Sequence, residues 1–396
     1  MKDRNALFSS FTVLRTFSFS CYMTMAVIVS YFPLYFQSRG LSTLQIGAIY
    51  SIGPLIGIGS NLFWGFLSDK YRTVKKILIL VLIGQWILAF FVFQSDAYTL
   101  LLVLMSVFFF FQSPVTSLTD SLTLLSIRNT GKSFASFRVW GSIGFAFAAL
   151  VFGQLMKGMG TDLIVYLCLF TIGLSFLLSL GLKDAGEGSR NKPDFSNLLP
   201  IISSRPFLAF MLIVLTVSVA HRMNDNFLAL FLQRLGADPS LVGLSWMSSA
   251  LAEIPIFFLL SRFGHRFKEL PLLILCSLVY TVRFLLMSRV TDPSLVIFIQ
   301  LLHSLSFGIF LFTVIRYIQR LVPDQFRASG QALFAVTWSG LAGLLSGLVG
   351  GWVFNTWGPH TVYSVSSVLA FIAMIGFIVL HMVLKDQEPA EEASSS

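Results

Sequence analysis

The sequence predicts an all-α integral membrane protein: twelve transmembrane helices arranged as two pseudo-symmetric six-helix bundles. Three observations predict it. Of 396 residues, 56% are hydrophobic and only 11% charged, where soluble domains carry about a quarter charged. Twelve stretches each approach the roughly 20 apolar residues that a bilayer crossing requires. Their flanking Lys and Arg alternate between a rich and a poor side as a chain crossing twelve times would place them.

The twelve stretches are 12–37, 42–67, 75–94, 99–127, 132–157, 161–182, 205–233, 240–262, 269–289, 293–321, 327–356 and 360–384. The first is too long for a removable signal peptide and lacks a small-residue cleavage site. The longest polar interval, 183–204, is rich in Gly, Ser, Asn and Pro. It is expected to be a cytoplasmic linker between an N-terminal bundle (1–182) and a C-terminal bundle (205–384). The acidic, Ser-rich stretch 385–396 is expected to be a disordered cytoplasmic tail.

Loops on the side of the termini hold 18 Lys and Arg, among them Lys70, Arg72, Lys75, Lys76, Arg262 and Lys268. The opposite side holds 4: Arg39, Lys157, Arg234 and Arg289. Cytoplasmic loops carry this excess, so both termini are expected in the cytoplasm of a multi-pass cell-membrane protein. The halves also echo each other. Phe36-Gln37-Ser38-Arg39-Gly40 followed by Gly47 parallels Phe231-Leu232-Gln233-Arg234-Leu235-Gly236 followed by Gly243. Two such halves around a midplane cavity are a secondary-transporter architecture.

Composition excludes other classes. With 41 Phe, a disordered or nucleic-acid-binding chain is ruled out, and polar surface is too scarce for a soluble enzyme. The net charge of +9 is explained by the loops. Cys21, Cys168 and Cys276 lie in apolar stretches without paired spacing, so neither a disulfide framework nor a metal site is expected. Gly-rich helix 11, with Gly340, Gly343, Gly347, Gly350 and Gly351, reads as close helix packing, because no Lys-Ser/Thr signature of a phosphate loop follows. No cofactor is expected.

Ionisable residues at bilayer depth are costly and usually functional. The spans contain Arg15, Arg138, Arg222, Arg283 and Arg316 against Asp120, Asp225 and Glu253, with His221 and His303 as titratable extras. Buried Arg does not deprotonate, so the surplus of positive charge is expected to be met by backbone carbonyls, cavity water or an anionic ligand, and a carboxylate gripped by guanidinium is the lead about the substrate. Asp120, late in helix 4, and Arg138, early in helix 5, face each other across a short hairpin. The expected substrate clamp is Arg138, Arg283 and Arg316 with Asp120 and Trp140. Trp140, two residues from Arg138 and beside a Gly-Ser pair, is the candidate stacking platform. The expected proton-responsive set is Glu253, His303 and Asp120. Tyr31, Tyr35, Arg222, Asn224 and Asp225 are possible cavity-lining residues. The alternative for each charge is an interhelical ion pair that only fixes packing.

The loop after the second helix, Gly65-Phe66-Leu67-Ser68-Asp69-Lys70-Tyr71-Arg72 with Lys75-Lys76, resembles the signature loop of the major facilitator superfamily. The usual Gly before the second Arg is missing, and the matching loop, Leu260-Ser261-Arg262-Phe263-Gly264-His265-Arg266, lacks the acid. Gly65, Asp69 and Arg72 are expected to form a conformational latch. Leu118-Thr119-Asp120-Ser121-Leu122 and Phe137-Arg138-Val139-Trp140-Gly141-Ser142 resemble the phenylpropionate permease branch of that superfamily, akin to lactose permease. So do Ala252-Glu253, Val282-Arg283, Gln300-Leu301-Leu302-His303 and Arg316-Tyr317-Ile318. The resemblance implies the major facilitator fold and a proton-driven importer. It also implies substrate engagement by the helix 4 acid and by the helix 5 Arg with its nearby Trp. Binding and proton coupling then fall to the helix 8 Glu, helix 9 Arg and helix 10 His. Ser306 stands where lactose permeases place a second Glu, which leaves the proton to Glu253, Asp120 or His303.

The expected function is therefore a monomeric, proton-coupled importer of a small organic solute by alternating access, with an aromatic or other carboxylate favoured. Its partners are the solute, protons and the lipid bilayer. A sugar or nucleoside symporter, a metabolite or drug exporter, and a membrane sensor or scaffold are the alternatives. An enzyme is not expected, for want of a nucleotide loop or a nucleophile–base arrangement.

Overall fold

The computed structural model describes residues 2–128, 130–184, 203–323 and 326–394. The twelve spans are α1 Phe11–Ser30, α2 Thr43–Tyr71, α3 Val74–Phe93, α4 Tyr98–Ile127, α5 Ser136–Met159 and α6 Leu163–Leu180, then α7 Arg205–Arg234, α8 Pro239–Phe263, α9 Glu269–Met287, α10 Pro293–Leu321, α11 Ser329–Trp357 and α12 Pro359–Val383. No strand occurs among the described residues. The helix preceding and including α1 starts at Lys2, and a short helix Phe32–Ser38 continues it.

Local chemistry starts and stops these helices. Ser42 and Gln45 form a capping box at α2, each side chain taking the other's backbone N–H. Asp238 and Asp292 cap α8 and α10, with Pro at the first helical position of each. Gly40 and Gly236 both adopt φ +85°, a left-handed conformation that costs glycine nothing. The echo between the halves thus marks the same turn built twice. Most of the interval expected to be a linker, 185–202, lies outside the described residues. The last helix runs Pro359–Ser394, so the tail expected to lack structure is helical through Ser394. Ala, Glu and Gln there are strong helix formers, and the helix is already nucleated by α12.

The halves meet at the end of the bundle opposite the termini, the distal end. Two glycine seams let backbones touch there, as small residues do where no side chain can be accommodated. A Cβ on Gly47 of α2 would lie 2.3 Å from the Gly347 carbonyl oxygen of α11, and one on Gly243 of α8 would lie 1.9 Å from the Ala149 carbonyl oxygen of α5. The second position of the echo therefore meets a backbone carbonyl of the other half in each seam. The expectation of close packing at helix 11 holds along its length: Gly343 abuts Pro54, and Gly340 abuts Ile58. Thr43 hydroxyl donates to Asn355 Oδ1 at 3.3 Å, and Lys157 pairs with Asp238 at 2.9 Å, both across the halves.

Tyr31 and Tyr35 belong to this packed region and line no cavity. Tyr31 is fully buried and donates to the Ala149 carbonyl; Tyr35 is 2% exposed, its hydroxyl 3.5 Å from the Phe93 carbonyl. This aromatic pair, four residues apart at and beyond the end of α1, is turned to neighbouring helices. At the opposite end the signature loop is open. Asp69 and Arg72 are exposed, Arg72 ends α2 in a left-handed conformation at φ 51°, and nothing lies within 4 Å of a Cβ on Gly65. Among the described residues no ion pair joins Asp69 to Arg72. Asp184 does the holding there, its carboxylate taking the Thr73 hydroxyl and the backbone N–H of Val74 at 3.2 Å, capping α3.

Candidate functional site

Below the glycine seams, part-exposed charged side chains of the two halves stand near mid-depth. On the N-terminal wall, Arg138 Nη1 lies 3.4 Å from Asp120 Oδ1, with side chains 40% and 34% exposed. The guanidinium also sits 4.6 Å over the Tyr22 ring. Across the cleft, Glu253 of α8 is close enough to act electrostatically on Arg138. Glu253 Oε1 accepts from His303 Nε2 at 2.8 Å, so α8 and α10 share one imidazole–carboxylate pair.

Behind that pair the C-terminal half holds a buried polar network. Arg283 has no exposed surface, and its guanidinium donates to Gln300 Oε1 and, at 3.4 Å, to Ser306 Oγ. Its Nε has no partner, and no carboxylate lies within ion-pair distance among the described residues. Gln300 Nε2 and the Tyr363 hydroxyl each donate to Asn224 Oδ1 at 3.4 Å. On α7, Asp225 meets His221 Nε2 at 3.2 Å and Arg222 at 3.6 Å, the (i, i+4) and (i, i+3) neighbours of one helix face. Arg222 rests 5.2 Å over the Trp338 ring and donates to Ser339 Oγ at 3.3 Å. Two π-helical turns, Ser304–Gly308 in α10 and Val336–Leu341 in α11, supply Ser306, Phe307, Trp338 and Ser339 to this network. Such single-turn widenings re-aim side chains and concentrate at functional sites.

Two expected members stand elsewhere. Arg316 is 13 residues beyond His303, about 20 Å along the helix at 1.5 Å per residue. It is bound to Glu269 at 2.7 Å, to the Gly264 carbonyl at 2.5 Å and to the Phe267 carbonyl, with Arg320 also on Glu269 at 3.4 Å. This guanidinium ties down the turn between α8 and α9, away from the Asp120–Arg138 pair. Trp140 shares the outward face of α5 with Ile143 and Phe147, all more than a third exposed, because two residues along a helix turn a side chain by about 200°. Arg15 sits 4.9 Å over the Phe137 ring, at the helix end nearer the termini.

The model of the MFS_1 like family matches residues 11–365. The chain belongs to that family of major facilitator transporters. It is 26% identical to a maltose permease of Geobacillus stearothermophilus over 384 residues, 96% of each chain. It is 24% identical to a probable 3-phenylpropionic acid transporter of Escherichia coli strain K12, over 90% of this chain and 94% of that one. The crystal structure of the nucleoside transporter NupG superposes with a TM-score of 0.81 at 18% identity, covering 94% of this chain and 98% of that one. That likeness carries the twelve-helix fold, and the family match makes the chain a multi-pass membrane transporter.

Several members of this facilitator's site escaped the sequence reading. Gln300 was legible as the (i, i−3) neighbour of His303 on one helix face. Trp246, whose indole N–H is buried without a partner, packs edge-on to Phe145 at 5.9 Å across the halves. It stands seven residues from Glu253, as Phe145 does from Arg138, so the aromatic pair floors the cleft about 10 Å distal to the charges. Tyr280, whose hydroxyl lies 3.0 Å from His221 Nδ1, had no sequence signal, since its partner is 59 residues away.

Proposed function

We propose that the protein is a proton-coupled importer of a small hydroxyl-bearing solute, a sugar or nucleoside, acting as a monomer in the cell membrane by alternating access. The observation that carries this reading is the engagement of Arg316 by Glu269. With that cation withdrawn, the cleft and its backing network hold Arg138, Arg222 and Arg283 against Asp120, Asp225 and Glu253. A site with equal numbers of guanidinium and carboxylate groups suits a neutral ligand whose hydroxyls donate to acids and accept from Arg. The Phe145–Trp246 floor supplies the apolar face on which a ring stacks. Relatives named as maltose, sucrose and nucleoside permeases fit the same solute class.

In this reading both termini are cytoplasmic, so the open end faces the cytoplasm. Glu253 and His303 carry the proton, and Asp69 re-forms the latch with Arg72 and Gly65 when that end closes. A carboxylate remains the second reading, favoured by Arg283, which has no acid of its own, and by the phenylpropionate-type relative.

The test is proton flux in proteoliposomes carrying an internal pH dye, challenged in turn with maltose, uridine and 3-phenylpropionate. Lumen acidification driven by maltose or uridine is expected. Acidification by the carboxylate alone overturns the neutral-solute reading, and solute entry without acidification overturns proton coupling.

A further inference from the structure

Two carboxylate–imidazole pairs stand side by side in the C-terminal half. Glu253 Oε1 meets His303 Nε2 at 2.8 Å, and Asp225 Oδ2 meets His221 Nε2 at 3.2 Å. The imidazole rings lie 5.3 Å apart, tilted by 33°, and both histidines are at most 5% exposed. On its far side His221 Nδ1 is 3.0 Å from the Tyr280 hydroxyl, while His303 Nδ1 is buried with no partner. We propose that His221 and His303 form one proton-binding unit holding a single proton, with His221–Asp225–Tyr280 as a second station beside Glu253–His303. The proposal rests on the proton-coupled reading above and names the residue which that reading does not use.

The chemistry follows from the surroundings. Facing His221 are Arg222 and Asp225 on its own helix, Tyr280 and Arg283 on α9, His303 and Phe307 on α10 and Trp338 on α11; Glu253 on α8 reaches it through His303. With both imidazoles neutral, each donates its Nε2–H to its own carboxylate, and Arg222 and Arg283 balance Asp225 and Glu253. One added proton makes the array singly positive. A second would set two imidazolium ions 5.3 Å apart in a region poor in water, where like charges repel strongly. The single proton has two addresses. At His303 it occupies the bare Nδ1. At His221 it occupies Nδ1 while the Tyr280 hydroxyl rotates from donor to acceptor, so no bond other than N–H is made. Asp225, already shared with Arg222, links the second address to the Arg222–Trp338 contact on α11, a helix of the distal seam.

Histidine NMR on the full chain tests this, without any solute. The protein, labelled with nitrogen-15 at its imidazoles and held in lipid nanodiscs, is titrated from about pH 4 to 9. H221Q and H303Q assign the two signals. The expected result is a common midpoint for His221 and His303, summing to one proton, and a complete proton on His221 in H303Q. Two results overturn the proposal: His221 neutral throughout in both wild type and H303Q, or two full protons bound independently. Should H303Q not fold, E253Q serves the same purpose, since without its carboxylate partner His303 releases the proton to His221. A shared titration in a protein that moves solute without protons would overturn the transport reading and leave this one standing.

Discussion

Lys157 Nζ stands 2.9 Å from Asp238 Oδ2, joining α5 to the start of α8 where the halves close on each other. Asp238 also caps α8, and its hydrogen bond from Ser240, with Lys157 beside it, draws the carboxyl down to about 2. A carboxyl depressed in the folded state stabilises above its unfolded value near 3.9 and loses that contribution as pH falls toward about 2. The closure it supports is therefore expected not to titrate between about pH 5 and 8. The pair is half-exposed, so Lys157→Ala is expected to cost the closed end only ~0.2–1 kcal/mol. Spin-label distances across the distal end, measured against pH, check both statements; a pH-dependent opening near neutrality would contradict them.

Gly243 leaves no room for a Cβ against the Ala149 carbonyl. Gly243→Ala should disfavour distal closure by about 1–3 kcal/mol, the usual cost of overpacking. A cysteine introduced at Ser240, which is 5% exposed, should then label faster with a membrane-impermeant maleimide. The native cysteines are all buried and stay silent. Unchanged labelling would show that the seam is not a closing contact.

Arg138, with its side chain 40% exposed, is more accessible than Arg222, Arg283 and Arg316 and lies near both Asp120 and Glu253. Arg138→Ala is expected to lower uptake kcat/KM by roughly 10- to 150-fold, the worth of one charged hydrogen bond at about 1.5–3 kcal/mol. Thermal stability should change little, because the ion pair is partly solvated. Preserved uptake in proteoliposomes would remove Arg138 from the solute site.

Arg283 and Arg316 should behave oppositely. Arg283→Met removes a buried charge that pairs with no acid among the described residues, so stability is expected to hold or rise by up to about 4 kcal/mol while concentrative uptake is lost. Arg316→Met strips Glu269 of its closer cation and frees two carbonyls. It should cost about 2–3 kcal/mol, less than the ~3–5 of a fully buried pair because Arg320 remains on Glu269. Thermal unfolding in detergent, set beside uptake, checks both. A destabilised Arg283→Met would mark that residue as structural.

The spans were legible because hydropathy and loop charge are local properties of the chain, and each of the twelve apolar stretches became a helix. The pair Asp120–Arg138 was legible for a related reason: a short hairpin fixes who meets whom. The echo between halves carried more than expected, since its two glycines became the turn and the seam of each half.

Sequence by itself determined the class and the number of crossings, since water and lipid sort residues by polarity wherever their neighbours are. Tertiary structure alone decided which guanidinium found which carboxylate: Arg316 went to Glu269, Arg283 to an amide and a hydroxyl, and the aromatic floor to Trp246 in place of Trp140. A helix apolar on every side has no polar stripe to announce its rotation, so its rotation about its own axis, and with it every long-range pairing, is set only when the neighbouring helices pack.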